Sequence, residues 1–255
     1  MKKGINMAQQ KFSVAIKSDT YRNLINETLG NPQVAQKFVA EISTLVAQNY
    51  ALQECEAGTI LSAGLLAQTL NLPLAPTLGF AYIIPYGKKA TFQAGWKAFI
   101  QLAIRTGQYK RIGVRPVHKG EWIGQDKYGD DLFEFNHQYD DNEIIGYYAY
   151  FELVNGFEKT LYWTKEQCQK HGLRYSQEYK NKGTGKWVEM FDEMAQKTVI
   201  KQLISKWGIM STELQTMVQA DQSVIRGDGN YEYVDNVDDD TPKPQITNTL
   251  LPKEE

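Results

Sequence analysis

Cysteine is scarce in this chain of 255 residues, with Cys55 and Cys168 as the whole complement. Two thiols with no Cys-x-x-Cys spacing exclude a disulfide framework, and the plain reading is two buried thiols in a reducing cytoplasm. Histidine is as thin: His118, His137 and His171 stand far apart, and none has a His or Cys partner at metal-ligand spacing. No apolar run approaches the roughly 18 residues that cross a bilayer. The opening Met1-Lys2-Lys3-Gly4-Ile5-Asn6 is not followed by the apolar stretch of a secretory leader. A phosphate loop is also missing. Gly183-Thr184-Gly185-Lys186 has part of one, but Trp187 stands where the magnesium-binding Ser or Thr belongs and Lys180 where the first glycine belongs.

What is present is ordinary globular composition, 42% apolar and 23% charged, enough for one large domain or two small ones. The net charge of −2 hides a segregation. Residues 1–79 carry 6 basic and 5 acidic side chains, residues 80–210 carry 19 and 15, and residues 211–255 carry 3 and 10. A basic middle beside an acidic tail is the pattern of a partner-binding or self-screening chain.

Hydrophobic periodicity divides the chain into a mobile arm over 1–19, a core over 20–211 and an acidic, largely flexible tail over 212–255. Asn31-Pro32 reads as an N-cap followed by proline at the first helical position. A stripe of Val34, Phe38, Ile42, Leu45, Val46 and Asn49 then follows. A further helix over 57–70 contains Gly58 and Gly64, which predicts close packing. Residues 78–86 and 90–93 read as a hairpin turning at Gly87-Lys88-Lys89, and 94–105 as a helix stopped by Thr106-Gly107. Strands are expected at 109–118, 143–154 and 157–163, with Asn155-Gly156 the strongest hairpin signal, and a short strand at 132–135. Thr164-Lys165-Glu166-Gln167 has the form of a capping box, and 187–207 reads as one long helix. Helices, a strand cluster and helices again, without βαβ alternation, indicate α+β with a mainly antiparallel sheet, N-terminal helices and long flanking helices.

The chemistry expected of this chain is cationic and aromatic. Lys97, Gln101 and Arg105 are four apart and share one helix face, a stripe with steps of about 6 Å. Arg105 leads into Lys110, Arg111 and Arg115. On the later helix, Val188, Phe191, Ala195, Val199 and Leu203 form a core stripe, while Lys197 and Lys201 emerge among apolar side chains. A lysine so placed must reach water or meet an anion. Tyr82, Tyr86, Trp96 and Tyr109 surround the same segment, and aromatic faces stack on unpaired bases while lysines and arginines track phosphates. The alternative is a divalent-metal nuclease using the acidic 126–143 region, where Asp130, Asp131, Glu134, Asp140, Asp141 and Glu143 could supply oxygen ligands. Such an enzyme also needs a positioned base or lysine, and Glu178-Tyr179-Lys180 lies at a helix-to-loop junction instead of on a strand.

Three ordered blocks carry a resemblance. Leu72-Pro73-Leu74-Ala75-Pro76 runs into Gly79-Phe80-Ala81-Tyr82-Ile83-Ile84-Pro85-Tyr86-Gly87. Gln93-Ala94-Gly95-Trp96-Lys97 and Leu102-Ala103-Ile104-Arg105-Thr106-Gly107 follow. Trp187 and Glu193-Met194-Ala195-Gln196-Lys197-Thr198-Val199-Ile200-Lys201-Gln202-Leu203 complete the set. In order and separation these resemble the RecT family of phage single-strand annealing proteins over about residues 60–210. Leu72-Pro73, Ala98 and Gln202 depart from the family pattern, the last lowering local charge. The resemblance implies a cytoplasmic, ATP-independent protein, not an enzyme, that binds single-stranded DNA and the nascent annealed duplex. It also implies homo-oligomeric rings or helical filaments, partnership with a phage 5′→3′ exonuclease and the host single-strand-binding protein, and Mg²⁺ only as a phosphate counterion. The DNA-contacting residues expected are Lys97, Gln101, Arg105, Lys110, Arg111, Lys197 and Lys201, with Tyr82, Tyr86 and Trp96 stacking or forming groove walls.

Overall fold

Helices lead the described chain. The computed structural model describes residues 11–135, 143–225 and 230–233. It opens with α1 (Phe12–Ala15), α2 (Asp19–Leu29), α3 (Pro32–Gln48), α4 (Tyr50–Gln53) and α5 (Ala57–Thr69). Asn31 caps α3, its Oδ1 accepting from the N–H groups of Gln33 (2.8 Å) and Val34 (3.3 Å). The stripe Ala35, Phe38, Ile42 and Val46 buries one face of α3, whereas α5 is buried on nearly every side. Gly64 makes their approach possible, since a Cβ there would lie 2.5 Å from Ile42 Cδ1.

Next come β1 (Ala81–Tyr86), β2 (Lys89–Ala94), α6 (Trp96–Arg105), β3 (Tyr109–His118), β4 (Trp122–Gln125) and β5 (Asp131–Phe133). They are followed by β6 (Ile144–Leu153), β7 (Glu158–Thr164), α7 (Lys165–Tyr175), α8 (Gln177–Lys182), α9 (Lys186–Glu189) and α10 (Phe191–Trp207). The described chain ends in α11 (Thr212–Ala220), β8 (Ser223–Ile225) and β9 (Tyr231–Tyr233). The class is α+β, and every strand pairing is antiparallel. Among the described residues the strands fall into three sheets, ordered β1-β2-β8-β9, β3-β6-β7 and β4-β5. Both expected hairpins form, at Gly87-Lys88 and Asn155-Gly156, and the Thr164 capping box is complete, with reciprocal bonds to Gln167 of 2.8 and 3.1 Å. Tyr147, Ala149, Phe151 and Leu153 of β6 face α10 and the core.

Three expectations need correction. The arm expected over 1–19 is not an arm from residue 12 on, because Phe12, Ala15 and Ile16, at helical spacing, are buried in the core. Residues 1–10 lie outside the described residues. The tail expected from 212 begins later. Leu214, Met217 and Ala220 bury one face of α11, and β8 joins β2 through Phe92 and Ser223; residues 234–255 lie outside the described residues. The helix expected over 187–207 is two, broken at Met190, whose backbone (φ −139°, ψ 54°) is not helical. The break buries Trp187 against Gly172 while Val188 of the predicted core stripe remains 51% exposed.

The junction between β2 and α6 is the tightest backbone crossing. Gly95 donates its N–H to Phe80 O (2.8 Å), and a Cβ on Gly95 would fall 2.1 Å from Gly79 O. That oxygen is backbone and cannot swing aside. Gly95→Ala is therefore expected to cost about 1–3 kcal/mol of stability, read as a lowered urea midpoint; an unchanged midpoint would show that the crossing relaxes freely.

Candidate nucleic-acid interface

The junction at Gly95 also builds one wall of a cleft. A cavity of about 1410 Å³ is lined by Gly79, Tyr82, Gly95, Trp96 and Lys97, by Lys186, Met190, Glu193 and Lys197, and by a face of α3 between Val34 and Gln48. A second, of about 390 Å³, is lined by Tyr86, His171, Trp187, Lys201, Asp221 and Tyr233 among others. Gln93, Lys186, Met194 and Lys197 line both, so the two adjoin across these side chains and make a divided trough. The first turn of α6 lies at its wall without a side-chain cap, which leaves the positive end of the helix dipole there. Lys97 is exposed; its Nζ lies 3.3 Å from Leu78 O and 5.8 Å from the Trp96 ring centre. Glu193 and burial together hold the Tyr82 hydroxyl above its usual pKa, burial being the larger cause.

Lys197 and Lys201 do not stand free. Lys197, 5% exposed, donates to Asp221 Oδ1 (2.8 Å), and Lys201 donates to Asp221 Oδ2 (2.9 Å). The same Oδ1 accepts from Ala94 N–H at 3.0 Å. Burial pushes the Lys197 pKa down against the pull of Asp221. Burial would raise Asp221, yet the two ammonium groups hold its carboxyl below the ordinary range. The expectation that both lysines emerge among apolar neighbours is thus corrected. Lys197 is a buried structural cation, and Lys201, with its side chain 28% exposed, is the most accessible member of the triad.

Other expected contacts lie elsewhere. Gln101, Arg105, Lys110 and Arg111 line neither cavity. Arg105 sits about 12 Å along α6 from Lys97 and donates to Leu70 O (2.7 Å) and Asn71 O (2.8 Å), closing the carbonyl end of α5. Lys110 and Arg111 share Glu152 on β6, at 2.6 and 3.6 Å, an exposed arrangement of small energetic value. Tyr82, Tyr86 and Trp96 are all half-buried in the trough walls.

Sequence reading missed Asp221, Lys186 and Gln93. Asp221 had a signal: Leu214, Met217, Val218 and residue 221 follow helical spacing, so the acid falls on the buried face and needs a cation. Gln93 stands in the second resemblance block but was not singled out, and Lys186 had no signal, because the cavities they share are made by a strand and a helix far apart in sequence.

The acidic region is structurally committed where described. Asp126 accepts from Tyr128 and Asp130 N–H, Asp130 pairs with Lys159 (3.0 Å), and Asp131 accepts from Trp122 Nε1 and Gln125. No group of three potential metal-binding side chains occurs among the described residues, while His137, Asp140 and Asp141 lie outside them. The nuclease alternative gains no support. Cys55 and Cys168 are buried and unbridged, burial pushing Cys168 up to about 12. Among the described residues no helix is long and apolar enough to cross a membrane.

The α+β fold thus carries two adjoining cavities lined by lysines and aromatic rings. The sequence matches the RecT family model over residues 36–239. It is 38% identical over 244 residues to Uncharacterized protein YqaK of Bacillus subtilis strain 168, covering 92% of this chain and 81% of that protein. It is 26% identical over 241 residues to Protein RecT of Escherichia coli strain K12, covering 87% of each. The chain belongs to the RecT family, a family of single-strand annealing proteins of DNA recombination.

Two outcomes follow from the buried groups. Lys197→Ala leaves a buried carboxylate one cation short and is expected to cost about 3–5 kcal/mol, against a smaller loss for Lys201→Ala, both measured by urea unfolding; equal losses would deny Lys197 its role. Burial, then Lys201 and Arg174, hold the His171 pKa down to about 4. As pH falls from about 6.5 to about 4, the unfolded chain takes up a proton that the folded chain refuses, so stability drops by up to about 3 kcal/mol. His171→Phe is expected to make that loss visibly shallower, and an unchanged slope would show that His171 titrates normally.

Proposed function

We propose that the trough holds the sugar-phosphate backbone of single-stranded DNA and that the protein anneals complementary strands without nucleotide hydrolysis. The observation that carries this reading is that Lys97, Tyr82 and Trp96 line the larger cavity, Lys201 and Tyr86 the adjoining smaller one, and Lys186 both. Two strands repel as polyanions, and cations that neutralise phosphates lower the cost of bringing them together. Pairing then supplies stacking free energy of about 1.4 kcal/mol per step, so no covalent chemistry or bound nucleotide is required. Mg²⁺ enters only as a counterion.

Few cations line one trough, so contact per subunit is weak. Assembly of copies along the strand, as a ring or helical filament, multiplies such contacts through effective concentration. In this reading the protein works in the cytoplasm, holds the nascent duplex as well as the single strand, and meets a phage 5′→3′ exonuclease and the host single-strand-binding protein.

Labelled complementary oligonucleotides incubated with the protein and Mg²⁺, but no ATP, are expected to pair at full length; shortened strands would identify a nuclease instead. Lys97→Ala with Lys186→Ala is expected to flatten the dependence of log affinity on log salt by about 1.4, near 0.7 per lost phosphate contact. The urea midpoint should not move. The same slope in the double variant would remove the trough from the DNA site.

A further inference from the structure

We propose that Gln93 donates a hydrogen bond to a phosphodiester oxygen of single-stranded DNA where the strand passes between the two cavities; the proposal rests on those cavities being the DNA site. Eight polar or charged residues are buried among those described, and Gln93 stands apart from the other seven. The four hydroxyl residues donate to backbone carbonyls, and Glu121, Lys197 and Asp221 have ionic partners. Gln93 is 7% exposed, yet its carboxamide makes no hydrogen bond with any described residue.

The amide is aimed at the site. Strand alternation places Gln93 on the same face of the β1-β2 hairpin as its register partner Tyr82 and as Ile84 and Tyr86. Tyr82 and Ile84 line the larger cavity, Tyr86 the smaller, and Gln93 both. Every fully occluded side-chain nitrogen and oxygen among the described residues has a partner, so the unpaired amide of Gln93 keeps contact with cavity space. A buried amide that meets no protein partner is costly to keep, and this one is kept where the two cavities adjoin.

The setting favours an anionic acceptor. Lys186, Met194 and Lys197 are the other residues that line both cavities, and none of the four is acidic. Glu41 and Glu193 line the larger cavity alone, and Glu178 and Asp221 the smaller alone. An N–H donated to a charged oxygen makes a stronger bond than one donated to a neutral base, and the backbone is common to every sequence. A neutral donor releases no counterion, so its grip does not fade with salt as that of a lysine does. Gln93 thus adds a salt-tolerant contact to a site with few free cations.

The test uses the full chain with oligo(dT) and oligo(dC) of about 30 nucleotides, and Gln93→Met, which keeps the side-chain length and removes the donor. Affinity is expected to fall about three- to tenfold, by the same factor at each salt concentration and for both oligonucleotides. Plots of log affinity against log salt then run parallel to wild type. The urea midpoint is expected to hold or rise, because no protein partner is lost. Unchanged affinity overturns the contact, and a loss confined to one base overturns its assignment to phosphate. A flattened salt slope, or a lowered urea midpoint, shows that the residue acts through charge or through the fold and overturns the proposal as well. Lys97→Ala with Lys186→Ala is measured alongside. A wild-type slope in that double variant places the DNA elsewhere and defeats the underlying reading, whereas a flattened slope there beside wild-type affinity in Gln93→Met removes Gln93 alone.

Discussion

A single buried carboxylate, that of Asp221, ties together the parts of the molecule that make the trough. It accepts from Lys197 and Lys201 on α10 and from the backbone of Ala94 at the end of β2. An isolated charge in that position would cost many kcal/mol, and only full pairing and hydrogen bonding make it tolerable. The turn it occupies is also strained. Gln222 adopts a left-handed backbone (φ 66°), which disfavours a residue with a Cβ, and its N–H is held by Phe92 O at 2.9 Å. Through this knot β8 and β9 are added to the β1-β2 hairpin, and Tyr233 reaches the wall of the smaller cavity.

The knot has an electrostatic consequence. Two lysines and one aspartate leave one net positive charge, carried towards the trough by Lys201, so the cationic character of α10 is lower than its sequence suggests. The exposed positive charge at the larger cavity is that of Lys97, in the first turn of α6, with Lys186 beside it held by Glu189 at 2.6 Å. Modest charge per copy suits a protein that must release strands as well as hold them, since each extra phosphate contact deepens binding and its salt dependence together.

Local features were readable because their causes are local. Asn31-Pro32, Thr164 with Gln167, Gly87-Lys88 and Asn155-Gly156 each supply their own hydrogen bonds or backbone geometry within a few residues, and each appears where expected. The break at Met190 was hidden because α9 and α10 share a helical pattern; it is tertiary packing of Trp187 on Gly172 that separates them. The early end assigned to the core had a similar cause. The short stripe of α11 is too weak to announce burial until β2 is there to receive β8.

Sequence alone determined the α+β class, the antiparallel hairpins, the family and the presence of a cationic, aromatic central region. These depend on residue type and on spacings shorter than one element. Which cations face a common trough was decided only by the tertiary structure. Arg105 was turned to the carbonyl end of α5, Lys110 and Arg111 to Glu152, and both Lys197 and Lys201 to Asp221, while Lys97 remained exposed at the larger cavity. A charge in a sequence has no partner until folding brings one within a few ångströms, and the partner determines whether that charge is available to DNA or held by the protein's own carboxylates and carbonyls.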